Sequence, residues 1–255
     1  MKKIIFLLVM AAGMGAASGF LSSCNNISIR RDGDEESDTV PIVSNTKKYD
    51  YKGFDKIEMN SYAKVYLMQD TAFSIVAKGN TEALRSLKIT LQDGVLVIDR
   101  IGSSGIFGDD NDQEVSIYIS LPEISSIDAS GVGKIEAMTM FKQPQPLSID
   151  ISGACEVNMQ IESPKCSLES SGVGQVRLRG ATPKLEIDIS GAGDIDALAC
   201  AADSVTVDAS GAGEVKVMAN AHLSVDASGV GSVSYKGNPV VVKEVSGVAD
   251  VKQLN

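Results

Sequence analysis

Two residues before each of seven repeated serines stands an acid: Asp128, Asp150, Glu169, Asp188, Asp208, Asp226 and Glu244. Where successive repeats stack as β-coils about 4.8 Å apart, these carboxylates form one column. Neighbours in such a column repel by about 1 kcal/mol per pair even in water-like surroundings, so something must offset the charge. The expected offset is hydrogen bonding from the adjacent serine hydroxyls or from turn amides. The functional alternative is calcium, since oxygen-rich acidic clusters suit that ion. The Gly- and Asp-dense nine-residue repeat of calcium-binding β-rolls is absent. A second set lies four residues after each serine: Lys134, Glu156, Gln175, Asp194, Glu214, Ser232 and Asp250. Its charges are of mixed sign.

Other chemistry is thin. His222 is the only histidine and reads as a surface loop residue between coils. Arg177 and Arg179 share one coil, and Arg85 and Arg100 precede the repeats. A β-helical polysaccharide lyase or hydrolase needs a placed acid, a base and often a cation-holding cleft. Carboxylates are plentiful, but no aromatic sugar platform is visible and the chain has no Trp. Cys155, Cys166 and Cys200 match no zinc spacing and read as small buried hydrophobes. The repeated GxG turns never open a helix, so they fail the context a nucleotide-binding motif requires. A net charge of −10 repels phosphate backbones and excludes nucleic acid. The expectation is a non-catalytic chain with no cofactor.

The elements that position these residues are written in the repeat. Ser-Gly pairs begin at Ser130, Ser152, Ser171, Ser190, Ser210, Ser228 and Ser246, at successive spacings of 22, 19, 19, 20, 18 and 18 residues. Self-similarity at this period is the signature of a solenoid. Around Ser210, the residues Val205, Val207, Ala209, Gly211, Gly213, Val215 and Val217 share one parity, and Thr206, Asp208, Ser210, Ala212, Glu214 and Lys216 the other. A period of two puts the first set inward and the second outward. The inward set shrinks to Ala and Gly at the centre, where the chain bends inward and glycine permits φ > 0. A single coil cannot bury its Val and Ile, but stacked coils line up like residues and pair every backbone group. Leucine-rich repeats need a leucine framework and an Asn or Cys turn that this chain lacks. No 3.6-residue apolar pattern of useful length supports an α-solenoid. The expected fold is therefore all-β, a single-stranded β-helix, right-handed, with coils of about 19 residues.

Upstream, Ile57 to Met68 aligns position for position with Ile127 to Met138 and reads as a degenerate first coil. Ser74 to Lys78, Leu87 to Leu91, Val95 to Asp99 and Glu114 to Leu121 read as strands, and Asp93-Gly94 as a hairpin turn. Thr81 to Leu87 suits one or two helical turns, and Gly102 to Asp112 a loop. These elements are expected to cap the solenoid. The final coil, Val240 to Leu254, is an edge hazard that Lys243, Glu244, Lys252 and Gln253 or another subunit would blunt.

At the N-terminus, Lys2-Lys3, the apolar run Ile4 to Met10 and small residues to Gly19 form a secretory signal. Leu21-Ser22-Ser23-Cys24 resembles the bacterial lipobox, which implies acylation of Cys24 and cleavage before it. Losing Lys2 and Lys3 takes 23 basic residues to 21 against 33 acidic ones, a mature charge of −12. Two or more acyl chains suffice for stable membrane attachment. The chain thus divides into a signal peptide (1–23), a flexible acidic tether (24–46) and a β-helical domain (47–255).

The opening Phe54-Asp55-Lys56-Ile57, the segment Asp93-Gly94-Val95-Leu96-Val97-Ile98, Leu121-Pro122 and the turn Gly191-Ala192-Gly193-Asp194-Ile195 carry a family resemblance. Over Lys47 to Leu254 the chain resembles the Bacteroidetes lipoproteins with a head GIN domain, labelled auto-transporter adhesins. The resemblance implies a β-helical fold, a cell-envelope location as an outer-membrane lipoprotein, and no catalytic motif. Three triplets, Asp38-Thr39-Val40, Asp70-Thr71-Ala72 and Asp203-Ser204-Val205, also resemble the Bacteroidetes O-glycosylation site. The expected function is adhesion, or binding of a glycan or envelope protein along the ladder faces. The alternatives are a glycan-active enzyme and a purely structural envelope protein. Asn25-Asn26 after the cysteine give no clear surface-export signal, so either face of the membrane remains open.

Overall fold

The computed structural model describes residues 45–101 and 114–255. Cys24, the signal segment, most of the acidic tether and the loop at 102–112 lie outside the described residues. In chain order come β1 (Asn45–Tyr49), β2 (Lys56–Met59), β3 (Tyr62–Gln69), β4 (Ser74–Gly79), α1 (Thr81–Ser86), β5 (Leu87–Gln92), β6 (Val95–Arg100) and β7 (Ser116–Leu121). The repeats supply β8 (Ser126–Ala129), β9 (Val132–Ala137), β10 (Phe141–Lys142), β11 (Leu147–Ile151), β12 (Ala154–Glu162) and β13 (Lys165–Ser170). Three long strands follow, β14 (Val173–Ile189), β15 (Ala192–Ala209) and β16 (Ala212–Ala227), then β17 (Val230–Lys236), β18 (Val240–Val245) and β19 (Val248–Gln253). Asn45 and Thr46, read with the tether, are already paired in β1.

The result is a β-solenoid of about 7 turns with coils of about 19 residues. Parallel pairing runs rung to rung through the repeats, and like residues stack. Ile127, Ile149, Leu168, Ile187, Val207 and Val225 form one inner column, each at most 2% exposed. A second inner column is Val65, Ile135, Val157, Val176, Ile195, Val215 and Val233, equally buried. The period-two alternation read from the sequence is thus the core itself.

The degenerate coil sits where its alignment places it: Ile57 pairs with Ile127 and Tyr62 with Val132. Its other neighbour is unexpected. β2 also pairs in parallel with β6, and β3 with β7, so β6 and β7 form a further rung beyond it. The chain therefore lays down β2–β3, makes an excursion, and adds a rung on one side before continuing on the other. The excursion closes that end. β5 runs antiparallel to β6 through a turn at Asp93 (φ 48°) and Gly94 (φ 80°), β4 adds antiparallel to β7, and β1 adds antiparallel to β4. Helix α1, capped by the Asn80 side chain on the Ala83 amide, buries Ala83 and Leu84 against them.

At the corner, the Ser and Gly amides of the first six pairs both donate to one carbonyl of the coil before, and in the last pair the Ser246 amide does so. Ser152 and Gly153 use the Ala129 oxygen, and Ser171 and Gly172 the Ile151 oxygen. The glycine requirement is steric and lies along the solenoid axis. A Cβ on Gly211 would stand 2.0 Å from the Gly191 carbonyl oxygen of the neighbouring coil. The expected inward bend and positive φ are not the general reason, since Gly247 (φ 75°) is the only first glycine of a pair with positive φ. Unequal coil lengths are absorbed elsewhere, in register shifts at Arg177–Arg179 and between Ala197 and Ser204.

Candidate binding surface

The outward acids form the expected column in full register, and it extends one rung further, to Glu58. Glu58 pairs with Asp128, Asp128 with Asp150, Asp150 with Glu169 and Glu169 with Asp188. Asp188 pairs with Asp208, Asp208 with Asp226 and Asp226 with Glu244. The offset expected from serines and turn amides is not what the structure provides. The turn amides are spent on the neighbouring coil. Ser130 donates to the Asn60 side chain and Ser210 to the Ile189 carbonyl. Among the described residues, no hydrogen bond or ion pair reaches Asp128, Asp150, Asp188, Asp208 or Asp226. Burial, then the charges of Asp150 and Glu58, push the Asp128 carboxyl above its usual range. Burial, then Asp188 and Asp226, do the same to Asp208. Among the described residues, no group of three or more His, Cys, Asp or Glu side chains is arranged to hold a metal ion.

The second outward column behaves differently because its early rungs carry charges of both signs. Lys134 lies 3.0 Å from Glu136 and 3.9 Å from Glu156, and Arg177 lies 2.9 Å from Glu156. The Asn158 amide, with Lys134 and Arg177, holds the Glu156 carboxyl below its usual range. On the acidic column's side of the corner, two residues before Asp188, hydrogen bonds from Lys165 and Lys184 draw Glu186 down to about 2. The second column is paired at Lys134, Glu156 and Glu214, whereas Asp128, Asp150, Asp188, Asp208 and Asp226 of the first have no such partner among the described residues.

Between the two columns runs a third that sequence reasoning passed over. The x of Ser-Gly-x-Gly faces outward, stacking Tyr62, Val132, Ala154 and Val173 in register. It continues through Ala192, Ala212, Val230 and Val248. Tyr62 is 44% exposed, Val173 64%, Val230 62% and Val248 75%. The signal was present in the sequence: the position is Val or Ala in each Ser-Gly repeat, on the outward parity.

Other sequence readings resolve as follows. His222 lies in β16, exposed and stacked between Ser204 and Val240, so it is a strand residue and not a loop one. The cysteines are free and buried, and burial pushes Cys155 and Cys200 up to about 11 and raises Cys166 as well. Such thiols are unreactive fillers. Aromatics do meet on the outer face, because Tyr66 and Tyr118 come together across β3 and β7, ring centroids 5.0 Å apart. The other face of Tyr118 is covered by the Lys78 ammonium at 4.9 Å, so this pair is no open sugar platform. Thr71 is exposed and Ser204 half-buried in β15, while Asp38-Thr39-Val40 lies outside the described residues.

No curated protein matches the chain. Among solved structures, a "putative adhesin" from Bacteroides fragilis shares 24% identity at a TM-score of 0.76, covering 83% of this chain and 97% of that one. A "putative adhesin" from Parabacteroides merdae shares 19% identity at a TM-score of 0.63, covering 83% and 96%. A "putative lipid binding protein" from Parabacteroides distasonis shares 19% at 0.57, covering 83% and 97%. At these identities the likeness is one of fold. The family match is of sequence: residues 53–239 match the "putative auto-transporter adhesin, head GIN domain", and the chain belongs to that family.

Proposed function

We propose that the chain is a non-catalytic lipoprotein of the cell envelope, held to the outer membrane through acylated Cys24, whose solenoid binds a macromolecular partner along its outer columns. The partner class is a glycan or an envelope protein, in keeping with adhesion. The observation that carries this reading is the unbroken register of the outward columns from Glu58 to Glu244 and from Tyr62 to Val248. Seven rung steps of about 4.8 Å make each column about 34 Å long, a length that suits a polymer or a protein better than a metabolite. The family description and the lipobox-like segment before Cys24 support the envelope setting.

The test is binding of the full mature chain to a glycan array and to purified envelope proteins. Saturable binding to a defined glycan or protein is the expected result. Reproducible cleavage of a glycan would replace this reading with a polysaccharide-active one. Absence of binding in both formats would leave a structural envelope role. Cys24→Ala is expected to shift the protein from the membrane to the soluble fraction; unchanged fractionation would sink the anchor.

A further inference from the structure

The Ser-Gly corner leaves two outward columns unsatisfied, one on each side of its exposed serine row. On one flank, among the described residues, no cation pairs with the acids from Glu58 to Glu244, and the one side-chain hydrogen bond to them comes from the neutral Asn60 amide on Glu58. On the other, Val173, Val230 and Val248 stand 62–75% exposed in an in-line apolar stripe. Isolated exposed valines are ordinary, but a contiguous apolar row bordered by charge marks an interaction surface. Neither row slips where coil length changes, because the register shifts fall elsewhere on the coil.

We propose that this corner docks a cationic amphipathic α-helix lying along the solenoid axis, with its apolar stripe on the valine column and its basic flank on the acidic column. This rests on the reading that the outer columns bind a partner, and it fixes which columns and what chemistry. Charge sets the sign of the partner. A second copy carries the same net charge of −10 and the same acidic row, so it is repelled, as are anionic lipid and nucleic acid. Geometry sets the form. The backbone of the stripe is already paired with the rung on each side, so no strand can add there. An extended segment repeats same-face side chains about every 6.7 Å and loses step with a rung of about 4.8 Å within two positions. A helix repeats about every 5.4 Å, which side-chain rotamers absorb over several rungs.

The experiment uses the full mature chain with Cys24→Ser to prevent acylation. The probe is a helical peptide with leucines along one stripe and lysines along the adjacent one, titrated by calorimetry at physiological salt. Two variants accompany the wild type: Asp150→Asn/Asp188→Asn/Asp208→Asn, and Val173→Ser/Val230→Ser. All substituted side chains point outward, and thermal unfolding confirms that each variant folds. The expected result is saturable binding that falls at least about tenfold in each variant, the loss typical of central contacts. The same residues scrambled to disperse both stripes should also bind at least about tenfold more weakly. Equal binding by the variants or by the scrambled peptide overturns the proposal, as does no binding at all. If the variants keep a glycan or envelope-protein interaction found in the broader screen, the scaffold reading stands and this surface falls. Zwitterionic vesicles form the last arm; valine-dependent vesicle binding without peptide binding would make lipid the occupant and overturn the helix.

Discussion

The two ends of the solenoid are finished in opposite ways. At the first end, β4, β1 and β5 add antiparallel, α1 packs across, and the outermost rung stays dry. Ile98, Ile117 and Ile119 there are 0% exposed, as Val157 is in mid-solenoid. Phe54 and Phe73, ring centroids 5.0 Å apart, join that core. At the last coil nothing described lies beyond β18 and β19. Two inner positions turn polar there, because Lys243 stacks on Val225 and Gln253 on Tyr235, while Val241 and Val251 continue the core only half-buried. Val245, on the same parity, is 44% exposed. Inward-pointing charge on an edge strand is a known guard against edge-to-edge pairing. One end is sealed by extra structure, and the other is left open and made unattractive by residue choice.

The largest effect expected is at the sealed end. Phe54→Ala should cost about 3–5 kcal/mol in urea unfolding, the range for a buried aromatic, while half-buried Val251→Ala should cost about 1 kcal/mol or less. Equal losses would break the contrast. Next, Gly211→Ala forces a Cβ against the Gly191 oxygen between two stacked coils and should cost at least about 3 kcal/mol. Gly247→Ala would meet its nearest carbonyl oxygen, that of Ser228, at 2.6 Å in the more yielding last coil, and should cost less by the same measurement although its φ of 75° adds strain.

Lys243→Val completes the inner column and should turn the open end adhesive. Sedimentation is expected to show concentration-dependent association that the wild type lacks; a monomeric variant would mean that Lys243 is no guard. Hydrogen exchange should grade the ends, with amides of β18 and β19 exchanging well before those of β6 and β7. The smallest effect concerns the acidic column between them. Asp128 and Asp208 have raised folded-state pKa values, so the folded chain holds more protons just above the usual carboxylate range. Their contribution to stability therefore falls as pH rises through that window. Asp128→Asn/Asp208→Asn should raise Tm slightly at pH 7 and leave it unchanged at pH 3. Glu156 and Glu186 act in the opposite sense, losing their stabilisation as pH falls toward their lowered values.

Much of this was legible in the sequence because a solenoid turns long-range contacts into repeated local text. The aligned Ile57 to Met68, the Asp93-Gly94 turn and the acidic column needed only counting. The insertion of β2–β3 between two later rungs was not legible. It depends on Lys56–Met59 pairing with both Val95–Ile98 and Ser126–Ala129, and no local signal ranks one partner above another. The bare state of the acidic column was hidden for a related reason. Serines adjacent in sequence look like donors, yet their amides are taken by the previous coil and their hydroxyls point elsewhere.

By itself, the sequence determined the period, the parity of each residue and hence which columns face water, since a strand alternates whatever its neighbours do. Only the tertiary structure decided the order of the rungs, the direction of the glycine clash and the contrast between a partly paired column and a bare one. Those depend on which atoms of the neighbouring coil come close, the Gly191 carbonyl oxygen 2.0 Å from a Cβ on Gly211 or the Glu156 carboxylate 3.9 Å from Lys134, and no single coil contains them.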